Sequence, residues 1–233
     1  MTQNDWSERL AGAVAKEVRR HRKRQGMSAQ ELADRCANLG MPLKRSVLAN
    51  LESGRRTTVT LAELIVLARA LGVPPLLLAF PVAQEEHTEV LPGQTVGTWA
   101  AAKWFTGDDP FPTRDKDSGN WFVTSDDFDE WQSGAEAIDR MRWQDRYFAQ
   151  LSGAHSRAEG ARKAAETAST SAEREAHLRT AEAEQRTAEA IEREIRFNRN
   201  AMRKAGLTPP ELRPESQHLD DITAEDRRGA SGQ

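Results

Sequence analysis

KRSVLANLESGRR, residues 44–56, separates into an apolar face and a polar one. Val47, Leu48 and Leu51 recur at three- and four-residue spacing, which places them on one buried face of a helix. Arg45, Ser46, Ala49 and Asn50 fall on the other faces. Arg, Ser and Asn are side chains that can hydrogen-bond base edges in a major groove. Gly54 supplies the left-handed residue that ends a helix, and Arg55 and Arg56 follow in position to meet phosphate. Alone, this stretch would pass for an ordinary amphipathic surface helix. Its neighbours set it apart.

Upstream, Trp6, Leu10, Val14 and Val18 are spaced by four and predict a first helix over residues 5–25. Asn4 or Asp5 can cap it. The basic run Arg19-Arg20-His21-Arg22-Lys23-Arg24 suits the negative end of its dipole, and Gly26 stops it. Ser28 with Glu31 three residues later is a capping box that opens a second helix. Leu32 and Cys36 point inward from it, and Ala33 is small enough for close helix packing. Gly40 and Pro42 end it. Downstream, Thr60 and Glu63 form another capping box, followed by the stripe Leu61, Leu64, Leu67, Ala68 and Leu71 and the stop Gly72. Pro74 and Pro75 suit the start of a short fifth helix carrying Leu76, Leu77, Leu78 and Phe80. Five short helices in residues 1–82 predict a compact all-α domain. Within it, residues 44–53 take the place of the recognition helix of a helix-turn-helix.

Residues 14–80 resemble the helix-turn-helix of the Cro/C1-type, or XRE, family of transcriptional regulators. The residues that carry the resemblance are Arg22, Gly26-Met27-Ser28, Leu32-Ala33, Leu51-Glu52-Ser53-Gly54-Arg55 and Leu64 through Leu71-Gly72-Val73. The resemblance implies a five-helix, lambda-repressor-like fold and binding to double-stranded DNA. Two features depart from the family pattern. Ala29 stands where the family usually has a phosphate-reaching Gln, with Gln30 next to it. The connection from Leu32-Ala33 to Glu52 is about five residues longer than usual, which we assign to an extra turn of the second helix and to residues 38–43. Similar long versions occur among actinobacterial regulators, and the resemblance points to that source.

Charge is divided along the chain. Residues 1–80 carry 13 Lys+Arg and 7 Asp+Glu, while the remainder carries 20 and 29. A basic head on an acidic body suits a head that meets a polyanion. A single cysteine, Cys36, allows no internal disulfide and fits a reducing cytoplasm. We read Cys36 as a small buried hydrophobe. The opening MTQNDWSERL has no basic segment followed by an apolar one and does not read as a signal peptide. No run approaches the roughly 18 apolar residues of a membrane span. The sequence carries no G-x-G-x-x-G, P-loop or G-x-S-x-G. The five histidines are scattered, and one cysteine cannot build a structural zinc site. Asp126-Asp127 and Glu85-Glu86 read as a helix cap and a solvated loop rather than as acid/base pairs. The chain is therefore expected to be no enzyme and to need no cofactor or metal.

Beyond the head, residues 83–124 read as a connector with a short extended piece at Glu89-Val90-Leu91, a short helix from Thr95 to Phe105, and turns. Residues 114–120 read as a polar loop. Ser125-Asp126-Asp127 starts a helix strongly, and residues 125–207 predict a helical hairpin or coiled-coil arm. Gly153 and Gly160 weaken its first helix, and a capping box at Thr170 and Glu173 opens the second. Ala181, Ala188, Ile195 and Met202 repeat every seven residues and form a narrow seam, which can close within one chain or between two. Residues 208–233 are polar, lack periodicity and are expected to be disordered.

These readings converge on a sequence-specific, DNA-binding transcriptional regulator in the cytoplasm, at the nucleoid, acting as a homodimer. Arg45, Ser46 and Asn50 are expected to read bases, and Ser28, Gln30, Lys44, Arg55 and Arg56 to position phosphates. The C-terminal helices would dimerise, bind a partner protein or sense an effector. A competing reading is an antitoxin-like or adaptor module whose DNA binding is secondary. Arg22 and Glu52 are expected to form an ion pair, on the strength of their matching family positions. Trp99, Trp104, Trp121, Trp131 and Trp143 are expected to anchor the connector onto the C-terminal helices. Leu76, Leu77 and Phe80 are more apolar surface than a five-helix core readily covers, which makes the fifth helix another possible dimer surface.

Overall fold

A computed structural model describes residues 3–115, 119 and 121–220. The chain divides into two compact units, residues 1–129 and 130–233.

The first unit begins with five helices: α1 (Gln3–Arg24), α2 (Ala29–Asn38), α3 (Arg45–Glu52), α4 (Leu61–Leu71) and α5 (Leu76–Ala79). Local chemistry sets their ends. Ser28 Oγ accepts from the Glu31 amide while the Glu31 carboxylate accepts from the Ser28 amide, and Thr60 and Glu63 repeat the arrangement. Gly26, Gly54 and Gly72 take left-handed backbone conformations after α1, α3 and α4. An L-residue with a β-carbon pays strain there, and glycine does not. The helices close around Val18, Leu32, Cys36, Leu48, Leu67 and Leu78, none of which is exposed at all. Gln25 and Arg35 then donate to the carbonyls of Leu71 and Ala70, tying the ends of α1 and α2 to α4.

The next stretch is more ordered than its sequence suggests. Strand β1 (His87–Leu91) pairs antiparallel with β2 (Gln94–Gly97), so the expected extended piece is half of a hairpin. Pro92 and Gly93 make its two-residue turn, with Gly93 at φ +74°. The following helix, α6 (Thr98–Thr106), starts three residues later than expected because Thr95, Val96 and Gly97 belong to β2. The hairpin and α6 are packed onto the helices through Ala79, Phe80, Val90, Val96 and Ala101, with Leu64, Leu76 and Trp104 alongside. This second cluster covers Leu76 and Phe80 of the apolar surplus around α5, while Leu77 stays half-buried outside it. Two ion pairs fasten the hairpin and the turn before it to α1: Arg9 grips Glu89 through two hydrogen bonds of 2.7 and 2.8 Å, and Lys16 meets Glu85 just ahead of β1. The Arg9 guanidinium, helped by the Gly93 amide, brings the Glu89 carboxyl down to about 2. A second, two-residue hairpin joins β3 (Thr113–Arg114) to β4 (Trp121–Phe122), flanking the expected polar loop.

Two long helices dominate the remainder: α7 (Ser125–Glu166), whose first residues belong to the first unit, and α8 (Ser171–Lys204). Gly153 and Gly160 lie inside α7 and do not end it. A glycine within a helix costs about 0.5–1 kcal/mol, and burial of Leu151, Ala154, Ala158 and Ala165 along the same helix offsets this. Leu151 and Ala154 meet Ala188 and Ile195 of α8 in a cluster that also holds Tyr147, Phe148 and Ile191. Polar links show that the helices run antiparallel: Arg157 to Glu184, Arg162 to Gln185, Arg199 to Gln144, and the Asn198 amide to the Arg140 carbonyl. The seam of Ala181, Ala188, Ile195 and Met202 is therefore buried within one chain. Thr170 and Glu173 cap α8 as expected.

Residues 208–220, expected as the start of a disordered tail, return along the hairpin and end in a 3-10 helix (Pro214–Leu219). Leu219 enters the hairpin cluster, and Leu212 packs beside it. Arg199 donates to the Pro210 carbonyl and to the Asp220 carboxylate, which Arg203 also grips. A polar sequence is held here by charge rather than by an apolar stripe, so periodicity does not reveal it. The rest of the expected tail, residues 221–233, lies outside the described residues.

Among the tryptophans, Trp104 packs within the first unit, edge-on to Phe111 at 5.1 Å between ring centroids. Trp99, Trp121 and Trp143 keep large parts of their rings exposed. The expectation that the five jointly anchor the connector onto the C-terminal helices is corrected for Trp104, whose partners lie in the N-terminal unit.

Candidate nucleic-acid interface

The interface is built on α3. Leu48 and Leu51 point into the core, leaving Arg45, Ser46, Ala49 and Asn50 exposed. The apolar pattern of eight residues thus dictates which face of the helix is presented. Lys44 is the residue before the first turn, with exposed side chain and extended backbone. The segment between α2 and α3 includes Gly40 at φ +85°.

Depth behind this face comes from one ion pair. Arg22 Nε donates to Glu52 Oε1 at 2.6 Å and Nη2 to Oε2 at 2.5 Å, while Nη1 donates to the Met27 carbonyl at 2.6 Å. The side chains are only 12% and 8% exposed. One guanidinium therefore fixes the end of α1, the turn into α2 and the end of α3. The hydrogen bonds from Arg22 to Glu52 hold the guanidinium above its ordinary value against the opposing effect of burial.

The residues expected to meet phosphate are not equivalent. Ser28 and Gln30 stand exposed at the start of α2. Ser28 Oγ accepts the Glu31 amide, and Gln30 Nε2 donates to Asp34 at 2.8 Å. Arg55 is exposed. Arg56 differs: Nη1 and Nη2 both donate to the Glu63 carboxylate, at 2.6 and 2.8 Å. Glu63 is buried and also accepts from the Thr60 amide and hydroxyl. Burial alone would raise its carboxyl; hydrogen bonds from Arg56 and Thr60 outweigh that and hold it below its ordinary value. Arg56 thus joins the loop after α3 to the cap of α4, with its two terminal nitrogens taken. Its position beside Arg55 in the sequence gave no sign of this, since Glu63 was legible only as a capping residue.

A basic surface lies next to α3. Lys16, Arg19, Arg20 and Lys23 recur along one side of α1 and line a groove of about 470 Å³ with Glu52 and Gly54. Arg20 donates to the buried Glu17 carboxylate at 2.8 and 2.5 Å, and Lys16 is engaged by Glu85. Buried beside them, His21 is driven below its ordinary value by desolvation and by Arg20. Cys36 is fully buried, which raises its thiol and suits a packing residue.

A helix with an apolar back and polar front, preceded by a capped helix and braced by the Arg22–Glu52 pair, is the arrangement of a helix-turn-helix. Residues 18–78 match the model of the helix-turn-helix family HTH_3, the Cro/C1 type. This segment is a Cro/C1-type helix-turn-helix. Neither a curated protein nor a solved structure matches the chain. The helix-turn-helix is a DNA-binding module, so the N-terminal unit is that of a DNA-binding regulator in the general sense. Among the described residues, no helix is long and apolar enough to cross a membrane, and no three His, Cys, Asp or Glu side chains gather as metal ligands would.

Proposed function

We propose that this protein is a sequence-specific transcriptional regulator that lays α3 in the major groove of double-stranded DNA, within the cytoplasm at the nucleoid. The exposure of Arg45, Ser46 and Asn50 on the front of a helix whose back is fixed in the core carries this reading. Arg45 pairs best with guanine and Asn50 with adenine. Ser28, Gln30, Lys44 and Arg55 hold the phosphates that set register, and the basic side of α1 extends the positive field. Arg56 contributes chiefly by shaping the loop that presents Arg55. One recognition helix reads few base pairs, so two copies on a pseudo-palindromic site, half-sites roughly 34 Å apart, give the specificity a genome demands. Burial of the α8 seam within the chain, and of Leu76 and Phe80 in the second cluster, supports a dimer contact elsewhere on the surface or one that forms on DNA.

A second reading draws on the C-terminal hairpin, where Ile138, Trp143 and Phe197 expose apolar surface. Such surface suits a partner protein, and DNA binding would then serve the complex.

Binding to the chain's own upstream DNA and to random DNA, measured over a salt series, tests the first reading. Arg45→Ala is expected to lose about 1–3 kcal/mol of discrimination at one base pair, whereas Arg55→Ala weakens all sequences alike and flattens the salt slope. Equal loss on cognate and random DNA for Arg45→Ala would remove the base-reading role.

A further inference from the structure

The N-terminal unit holds a cavity of about 480 Å³ bounded by α1, the loop after α3, α4, α5, β1 and α6. That volume falls within the range of small-molecule sites, about 300–1,000 Å³. Leu10, Val14, Leu64, Phe80, Val90 and Trp104 supply most of the wall, and no charged side chain lines it. At its mouth, Leu61 and Phe105 are more than half exposed, which leaves a way in over apolar surface.

We propose that this cavity binds a neutral, largely apolar small molecule. The wall excludes other classes. A carboxylate or phosphate would find no cation in it, and the nearby Arg56 is held by Glu63. An ammonium would find no carboxylate. The loop residues Thr57, Thr58 and Thr60 form part of the rim, so the occupant touches the segment that also carries Arg55 and Arg56. The ligand class follows from the wall alone and stands whether or not the unit binds DNA.

Prodan, a neutral naphthalene ketone whose emission moves to the blue on leaving water, is the probe for the full chain. Saturable binding of one molecule per chain is expected, at least tenfold tighter than that of the anionic anilinonaphthalenesulfonate. Leu10→Trp should fill the cavity and abolish binding. Leu61→Glu changes an exposed side chain, leaves folding intact, and should weaken binding by placing a charge at the mouth. The site is refuted by unsaturable emission or by saturable binding that Leu10→Trp and Leu61→Glu both leave intact. Equal affinity for the anion refutes the ligand class. Prodan binding only below the concentration at which light scattering detects dimers would show a second copy as the occupant and overturn the proposal.

Discussion

The two units bury their helices with opposite kinds of side chain. In the N-terminal unit Leu32, Leu48, Leu51, Leu67, Leu71 and Leu78 meet from different helices. In the C-terminal hairpin the buried positions along the two long helices are mostly alanine: Ala154, Ala158, Ala165, Ala181 and Ala188, with Leu151, Ile195 and Met202 toward one end. A buried methylene contributes about 0.8 kcal/mol, so a leucine core derives far more from each position than an alanine seam does. Alanine instead allows close helix approach and propagates helix well. The N-terminal unit can therefore rest on apolar packing and present a rigid face, whereas the hairpin also relies on polar cross-links such as Arg157–Glu184 and Arg199–Asp220. Short crossing helices yield a platform, and two long antiparallel helices yield an arm.

The sharpest test of that contrast removes a charge from the unit that rests on leucine. Arg22→Ala would strand Glu52 in a site only 8% exposed, and breaking a buried pair costs about 3–5 kcal/mol. Hydrogen exchange is expected to show lost protection throughout α1, α2 and α3, with the α7–α8 hairpin unchanged. An unchanged melting temperature would mean that the leucine core alone holds the platform.

The seam can be tested by enlarging it. Ala188 has no exposed surface, and Ala188→Leu adds volume against Leu151 and Ala154 of α7. Overpacking of this kind costs about 1–3 kcal/mol, with the loss confined to the hairpin. A variant more stable than the parent would show that the seam has unfilled space and that its alanines are not there for close approach.

The smallest effect is expected at the latch between α8 and the 3-10 helix. Hydrogen bonds from Arg199, then Arg203, hold the Asp220 carboxyl below its ordinary value of 3.8 despite some burial. A lowered carboxyl contributes its stabilisation above the unfolded value and loses it as the pH falls through the folded one. The latch is thus complete at neutral pH and weakens on acidification below 3.8. Because Asp220 is 45% exposed, Asp220→Asn should cost no more than about 1 kcal/mol. Proteolysis at residues 207–220 is the readout: the variant should be cut faster at pH 7 and lose the acid dependence seen in the parent.

Much of the N-terminal unit was legible because its determinants are local. Capping boxes at Ser28 and Thr60 and glycines after three helices are read from a few adjacent residues. Apolar spacing then assigns a face to each helix, and the Arg22–Glu52 pair followed from family positions. The β1–β2 hairpin was half legible: Glu89-Val90-Leu91 marked one strand, but Thr95-Val96-Gly97 reads equally well as a helix start. Arg9 and Lys16, eighty and sixty-nine residues from their hairpin partners, carry no mark of that pairing.

What the sequence determined by itself was that α3 is a helix and which face it presents, because a helix's own period places Leu48 and Leu51 opposite Arg45, Ser46 and Asn50. The tertiary structure alone decided three further things. It sent Arg56 to Glu63 rather than outward, it continued α7 through two glycines, and it folded residues 207–220 back along α8. In each case the deciding partner is distant or competes with a plausible local alternative. Periodicity reports only what a residue does for its own helix, whereas an arginine's choice among carboxylates depends on which one the fold has buried beside it.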